Sequence, residues 1–108
     1  MAQNFRRYKS NDVGISAETL FTADSYDTVV GISVANVTAS AVVASVYIND
    51  GTNDIYLVKD APIPAGSSLQ VLDGGAKFVV ENNDALKVVS DTPSSLDVWV
   101  STVDAISS

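Results

Sequence analysis

Asp50, Thr52 and Asp54 set oxygen-bearing side chains at alternate positions of the loop Asn49-Asp50-Gly51-Thr52-Asn53-Asp54, which is how a chain begins to build a calcium site. The remainder of such a site is missing. Glycine falls second where a calcium loop needs it sixth, and no glutamate follows to bind the ion bidentately, so a hairpin tip accounts for every residue. Gly74-Gly75 has neither the lysine nor the strand-to-helix setting of a phosphate-binding loop. With no histidine and no cysteine, the serines lack a base to activate them, and imidazole or thiolate metal ligation is excluded. The aspartates fall almost wholly at turns, where hydrogen bonding to the local backbone explains them without paired-carboxylate chemistry. No catalytic, metal-binding or cofactor-binding residue is expected, and the chain reads as a non-enzyme.

What the side chains do offer is contact. If Val42, Val46 and Ile48, Ile55 and Leu57, and Leu96, Val98 and Val100 form core faces, the period of two sends Tyr47, Tyr56 and Trp99 outward. A lone soluble domain gains little from aromatics placed there. Four doublets, Val29-Val30, Val42-Val43, Val79-Val80 and Val88-Val89, likewise put valine on both faces of their strands, as expected where an outer face meets a partner. Near the N-terminus, Phe5-Arg6-Arg7-Tyr8-Lys9 interleaves basic and aromatic residues. The candidate interface is therefore Phe5, Arg6, Arg7, Tyr8, Lys9, Tyr47, Tyr56 and Trp99. Tyrosine and tryptophan are enriched at binding hot spots, which favours a subunit interface first and a sugar-stacking platform second.

The formal charge of −7 conceals an asymmetry, because Arg6, Arg7 and Lys9 supply half of the six basic residues. From Ser10 onward three lysines face thirteen acidic residues, leaving a body of −10 that repels nucleic acid. Residues 1–12 read as a basic N-terminal arm suited to an acidic neighbour, such as another copy, and residues 13–108 as one domain. No apolar run approaches the roughly 20 residues that span a bilayer, and MAQNFRRYKSND has no apolar segment of the secretory kind. A chain kept soluble in a cytoplasm is expected, and the glycosylation triplet Asn36-Val37-Thr38 is then a chance match.

Alternation predicts strands over Thr28–Val37, Val42–Ile48 and Leu96–Val103, with Val30, Ile32 and Val34 sharing one face of the first. Ser16–Thr22 predicts another, and Asp50-Gly51 a hairpin joining Val42–Ile48 to Ile55–Lys59. From Tyr56 to Ser90, short strands separated by Pro62-Ile63-Pro64, Gly66-Ser67-Ser68, Asp73-Gly74-Gly75 and Asn82-Asn83-Asp84 read as an antiparallel meander. Pro62 and Pro64 confine their segment to a sheet edge or a crossover between sheets. No segment carries a convincing helical period. About seven to nine short strands then make an all-β antiparallel sandwich or jelly roll.

Between Ile48 and Val103 the chain resembles small virion structural proteins of tailed bacteriophages, particularly those of cyanobacteria and other aquatic bacteria. The resemblance lies in YLVKDAPIPAGSSL at Tyr56–Leu69, in DALKVVSD at Asp84–Asp91 and in a last strand beginning at Asp97. It implies an all-β protein that forms homo-oligomers, a trimer being one such state, and that decorates or connects parts of the virion after assembly in the host cytoplasm. Foremost is a capsid cement or decoration protein bracing neighbouring major capsid subunits, with a neck, tail or fibre component close behind. From the outward aromatics comes a different alternative, a carbohydrate-binding module facing the host surface.

Overall fold

A computed structural model describes residues 4–23, 26–71, 78–81 and 83–104. Its described residues form nine strands and no helix: β1 (Asn4–Val13), β2 (Glu18–Thr22), β3 (Tyr26–Asn36), β4 (Val42–Asn49), β5 (Asp54–Ile63), β6 (Ser68–Gln70), β7 (Phe78–Glu81), β8 (Ala85–Ser90) and β9 (Leu96–Asp104). Of the turn expected at Asp24-Ser25-Tyr26-Asp27, the first two residues lie outside the described residues and the last two open β3; Asp73-Gly74-Gly75 and the Asn82 of Asn82-Asn83-Asp84 also lie outside them. All pairing is antiparallel. The first sheet runs β1-β9-β3-β6, with β7 also on β3, and the second runs β2-β8-β4-β5.

The sandwich follows from alternation. In β4, Val42, Ala44, Val46 and Ile48 turn inward; in β9, Leu96, Val98 and Val100 do so; in β8, Leu86 and Val88. They meet Val29, Ile32 and Val34 of β3, together with Val13, Phe21, Ile63 and Val80, in one core. Burying each such side chain contributes about 1.5–3 kcal/mol, which is why strands this short hold together as a stack of two sheets. Each of the four valine doublets presents one valine to that core and turns the other away from it.

Three expectations need correction. The segment from Tyr56 to Ser90 is no meander: β5 and β8 belong to the second sheet and β6 and β7 to the first, and none of the four pairs with its successor. Turn residues mark where a strand stops and carry no information on which sheet receives the next one. Val42–Asn49 and Asp54–Ile63 do form the expected hairpin, and Pro62 lies on edge strand β5, from which the chain crosses to β6. Val30 does not share a face with Ile32 and Val34, because a bulge between Val29 and Gly31 inserts it into β3 and leaves it exposed. Ile55 is 55 % exposed rather than part of the core, and β5 shifts register twice against β4 beyond it.

Two buried polar knots close one end of the sandwich. Asn36, at the end of β3, donates from Nδ2 to the carbonyls of Ser40 at 2.8 Å and Ile63 at 2.9 Å. Its Oδ1 accepts the Thr38 N–H at 2.9 Å, so both ends of the carboxamide are engaged. In the second knot, the Ser90 and Ser95 N–H groups donate to the carbonyls of Gly14 and Val13, both at 2.9 Å. This docks the β1–β2 corner against the β8–β9 turn. A Cβ on Gly14 would sit 3.1 Å from the Ser94 nitrogen and 3.2 Å from the Pro93 Cα, both backbone atoms, so this close approach favours glycine.

Candidate interaction surfaces

The candidate interface residues do not form one surface: Arg7, Lys9 and Trp99 lie on the outer face of the first sheet, Tyr47 and Tyr56 on that of the second, and Tyr8 turns inward. The segment expected as an arm enters the first sheet as β1, paired with β9 from Asn4↔Asp104 to Val13↔Leu96. Tyr8 and Ser10 lie opposite the core residues Val100 and Val98, which fixes the parity. Arg7 and Lys9, opposite Ser101 and Trp99, are therefore on the outer face, and Phe5 pairs with Val103. Tyr8 turns inward and stacks on Phe21, ring centroids 4.5 Å apart and planes 13° from parallel, so it anchors the edge strand to the second sheet. Arg6 shares that inward parity but is exposed at the sheet's edge.

Trp99 stands on the outer face of the first sheet, 47 % exposed. The Arg7 guanidinium carbon lies 5.2 Å from its ring centroid, within cation–π range. Beyond the indole, β3 offers only short side chains, Gly31, Ser33 and Ala35 opposite Ser101, Trp99 and Asp97. This difference in height leaves a groove of about 540 Å³ along β1, β9 and β3.

On the second sheet, Tyr47 and Tyr56 face each other across β4 and β5, ring centroids 5.0 Å apart. The parity expectation for Tyr47 is met, since its neighbours Val46 and Ile48 are in the core, yet it is only 8 % exposed. Tyr56 lies beside it and is itself covered in part by Lys59, whose Nζ is 4.9 Å from the ring centroid. Burial, with the nearby Asp54 carboxylate and Tyr56 adding to it, raises the Tyr47 phenol above its ordinary value of 10.0. Tyr56 and Ile55 remain exposed on β5, an edge strand.

The acidic loops are occupied by turn hydrogen bonds. Asp50 Oδ1 accepts the Thr52 and Asn53 N–H groups at 2.9 and 2.7 Å, and these bonds lower its pKa. Asn49 donates to Asp54 at 2.6 Å. Asp91 accepts the Val43 N–H at 3.0 Å and the Thr92 hydroxyl at 2.9 Å, which lowers its pKa in the same way. Among the described residues, no three acidic side chains converge as metal ligands would.

Sequence reasoning selected Trp99 and Lys9 but passed over Asn11, Ser33, Ala35 and Asp97 beside them. The signal was present in the run of small residues on one face of β3. It became meaningful only once β9 was known to pair with β3.

No protein-family model matches the chain, and no curated protein matches it in sequence. Among solved structures, it is similar to a protein of the Bacillus endospore appendages, described as a family of disulfide-linked pili. That match has a TM-score of 0.57 at 15 % identity and covers 94 % of this chain and 84 % of that one. It is also similar to a pentameric capsid protein from metagenomic phage sequences, with a TM-score of 0.52 at 17 % identity over 95 % of this chain. The chain spans 62 % of that capsid protein's length. At these identities what is shared is the fold, an all-β antiparallel sandwich.

Proposed function

We propose that this chain is a structural protein of a phage particle that assembles with copies of itself, and specifically a capsid decoration protein that braces major capsid subunits. The observation that carries the reading is the exposed pair Ile55 and Tyr56 on edge strand β5. An apolar pair on an open edge is a liability in a solitary domain and an asset in an assembly. Counting β6 and β7 together on β3, the described residues form four strands per sheet, and every connection except β4–β5 crosses between sheets. We read that order as the double Greek key of a jelly roll, an architecture recurrent in viral capsids. The fold shared with a pentameric capsid protein supports the same direction. Likeness to a disulfide-linked pilus cannot extend to that linkage, since this chain has no cysteine.

The test is the oligomeric state of the purified chain by sedimentation, followed by electron microscopy of particles carrying a labelled copy. Wild type should form a closed oligomer and Ile55→Asp with Tyr56→Asp a folded monomer, while label should decorate the head. Label at the neck or tail would retain a virion role and remove the decoration reading. A wild-type monomer that associates with no particle would remove both.

A further inference from the structure

We infer that the groove beside Trp99 binds a neutral oligosaccharide, one sugar ring lying against the indole. This goes beyond the structural role and does not depend on it, since Ile55 and Tyr56 belong to the other sheet. The groove is lined by Lys9, Asn11, Ser33, Ala35, Asp97 and Trp99, and its volume of about 540 Å³ falls within the range of small-ligand sites. Arg7 packs over the indole and is not part of the lining, so the ring is braced from outside the groove. The floor is low because β3 places Ser33 and Ala35 directly opposite Trp99 and Asp97.

The chemistry of the wall fits a sugar better than other ligands. The C–H groups on one face of a pyranose carry slight positive charge and meet the negative face of an aromatic ring. Its hydroxyls each need a donor or an acceptor, and the rim supplies both kinds. Lys9 donates, Asp97 accepts, and Asn11 and Ser33 do either. Among the described residues Asp97 accepts one long backbone bond, from the Asp12 N–H at 3.4 Å, and Ser33 Oγ accepts the Gln70 amide at 3.1 Å. Lys9 and Asp97 balance one another within the groove, and the chain's net charge of −7 opposes a polyanion, so the favoured ligand is uncharged.

Trp99 is the chain's single tryptophan, so its fluorescence reports this groove alone. The full chain is titrated with maltotriose, cellotriose, xylotriose and triacetylchitotriose, with dextran sulfate as the charged control. At least one neutral sugar should shift the emission saturably, with a Kd of about 1 mM or tighter. In calorimetry, Trp99→Ala should weaken that binding by at least about tenfold while leaving the fold intact. Ser33→Phe, which fills the groove and keeps the indole, should abolish it. Silence toward every neutral sugar, or an equal response to dextran sulfate, overturns the inference. So does a wild-type emission that is already blue-shifted and moves red as the oligomer is diluted, because a second copy would then cover the indole. The Ile55 and Tyr56 variants should bind the sugar unchanged, which separates failure of this site from failure of the assembly reading.

Discussion

The hydroxyl oxygens of Ser90 and Ser95 lie 2.6 Å apart in the interior, and Ser95 also donates to the Thr92 carbonyl at 2.8 Å. They brace the β8–β9 turn from within, while the Ser90 and Ser95 N–H groups, donating to Gly14 and Val13, tie it to the β1–β2 corner. Ser95→Ala should cost about 2 kcal/mol, the penalty for leaving buried partners unpaired, measured by urea unfolding. Gly14→Ala should cost about 1–3 kcal/mol, because both atoms its Cβ would meet are backbone and cannot swing aside. Unchanged stability in both variants would mean that this knot does not hold the corner.

Thr102 predicts a change in the opposite direction. Its hydroxyl is buried against the core without a hydrogen-bond partner among the described residues. Replacement by valine keeps the shape and removes the desolvated oxygen. Thr102→Val should therefore raise stability by about 1 kcal/mol. A loss of stability would show that the hydroxyl is paired in solution.

The response to pH should be flat through neutrality and steep at both extremes. Without histidine, no side chain with an ordinary pKa titrates between about pH 5 and 8. Asp50 and Asp91 are held below the usual 3.8 when folded, so their stabilisation is complete above that value and is lost as pH falls through the lowered ones. Melting temperatures should fall below about pH 4, less steeply in Asp91→Asn. Tyr47 is shifted upward, so its contribution is complete below 10.0 and disappears as pH rises through the raised value. Tyr47→Phe should flatten the alkaline limb. An acid limb identical in wild type and Asp91→Asn would show that the Val43 and Thr92 bonds add nothing.

Chelation should be without effect. The carboxylates nearest to a calcium arrangement are those of the β4–β5 turn, where Asp50 accepts two backbone N–H groups and Asp54 the Asn49 amide. Melting should be the same in EDTA and in calcium. A drop of several degrees in EDTA, restored by calcium, would show that the turn opens to bind the ion.

Much of the fold was legible because side-chain period and turn chemistry are local. Val42, Ala44, Val46 and Ile48 announce β4 without help, and Asp50-Gly51 announces its hairpin. Partner choice is not local, so the apparent meander turned out to be four strands shared between two sheets. Bulges were invisible for a related reason, since the single inserted Val30 reverses parity in a run of β-branched residues that gives no warning. The outward direction of Tyr47 was readable but its burial was not, because the group covering it, Tyr56, arrives from a neighbouring strand. In β1 the charges mark a terminus in the sequence, while nothing in the sequence distinguishes Tyr8, the residue that fixes that strand to the body, from its exposed neighbours.

Asn36 has a consequence for how the chain can be produced. An oligosaccharyltransferase acts on the extended Asn36-Val37-Thr38 triplet as it emerges, before any strand has paired. The amide nitrogen it would modify is the one that later donates to both Ser40 and Ile63. A glycan there and the closed sandwich are mutually exclusive, so secretion from a eukaryotic host would trap modified chains short of the native state. Removing the acceptor by Thr38→Ala would also remove a hydroxyl 2.7 Å from the Asn36 oxygen, whereas Thr38→Ser keeps that hydroxyl but also keeps the acceptor. Bacterial expression avoids the conflict altogether.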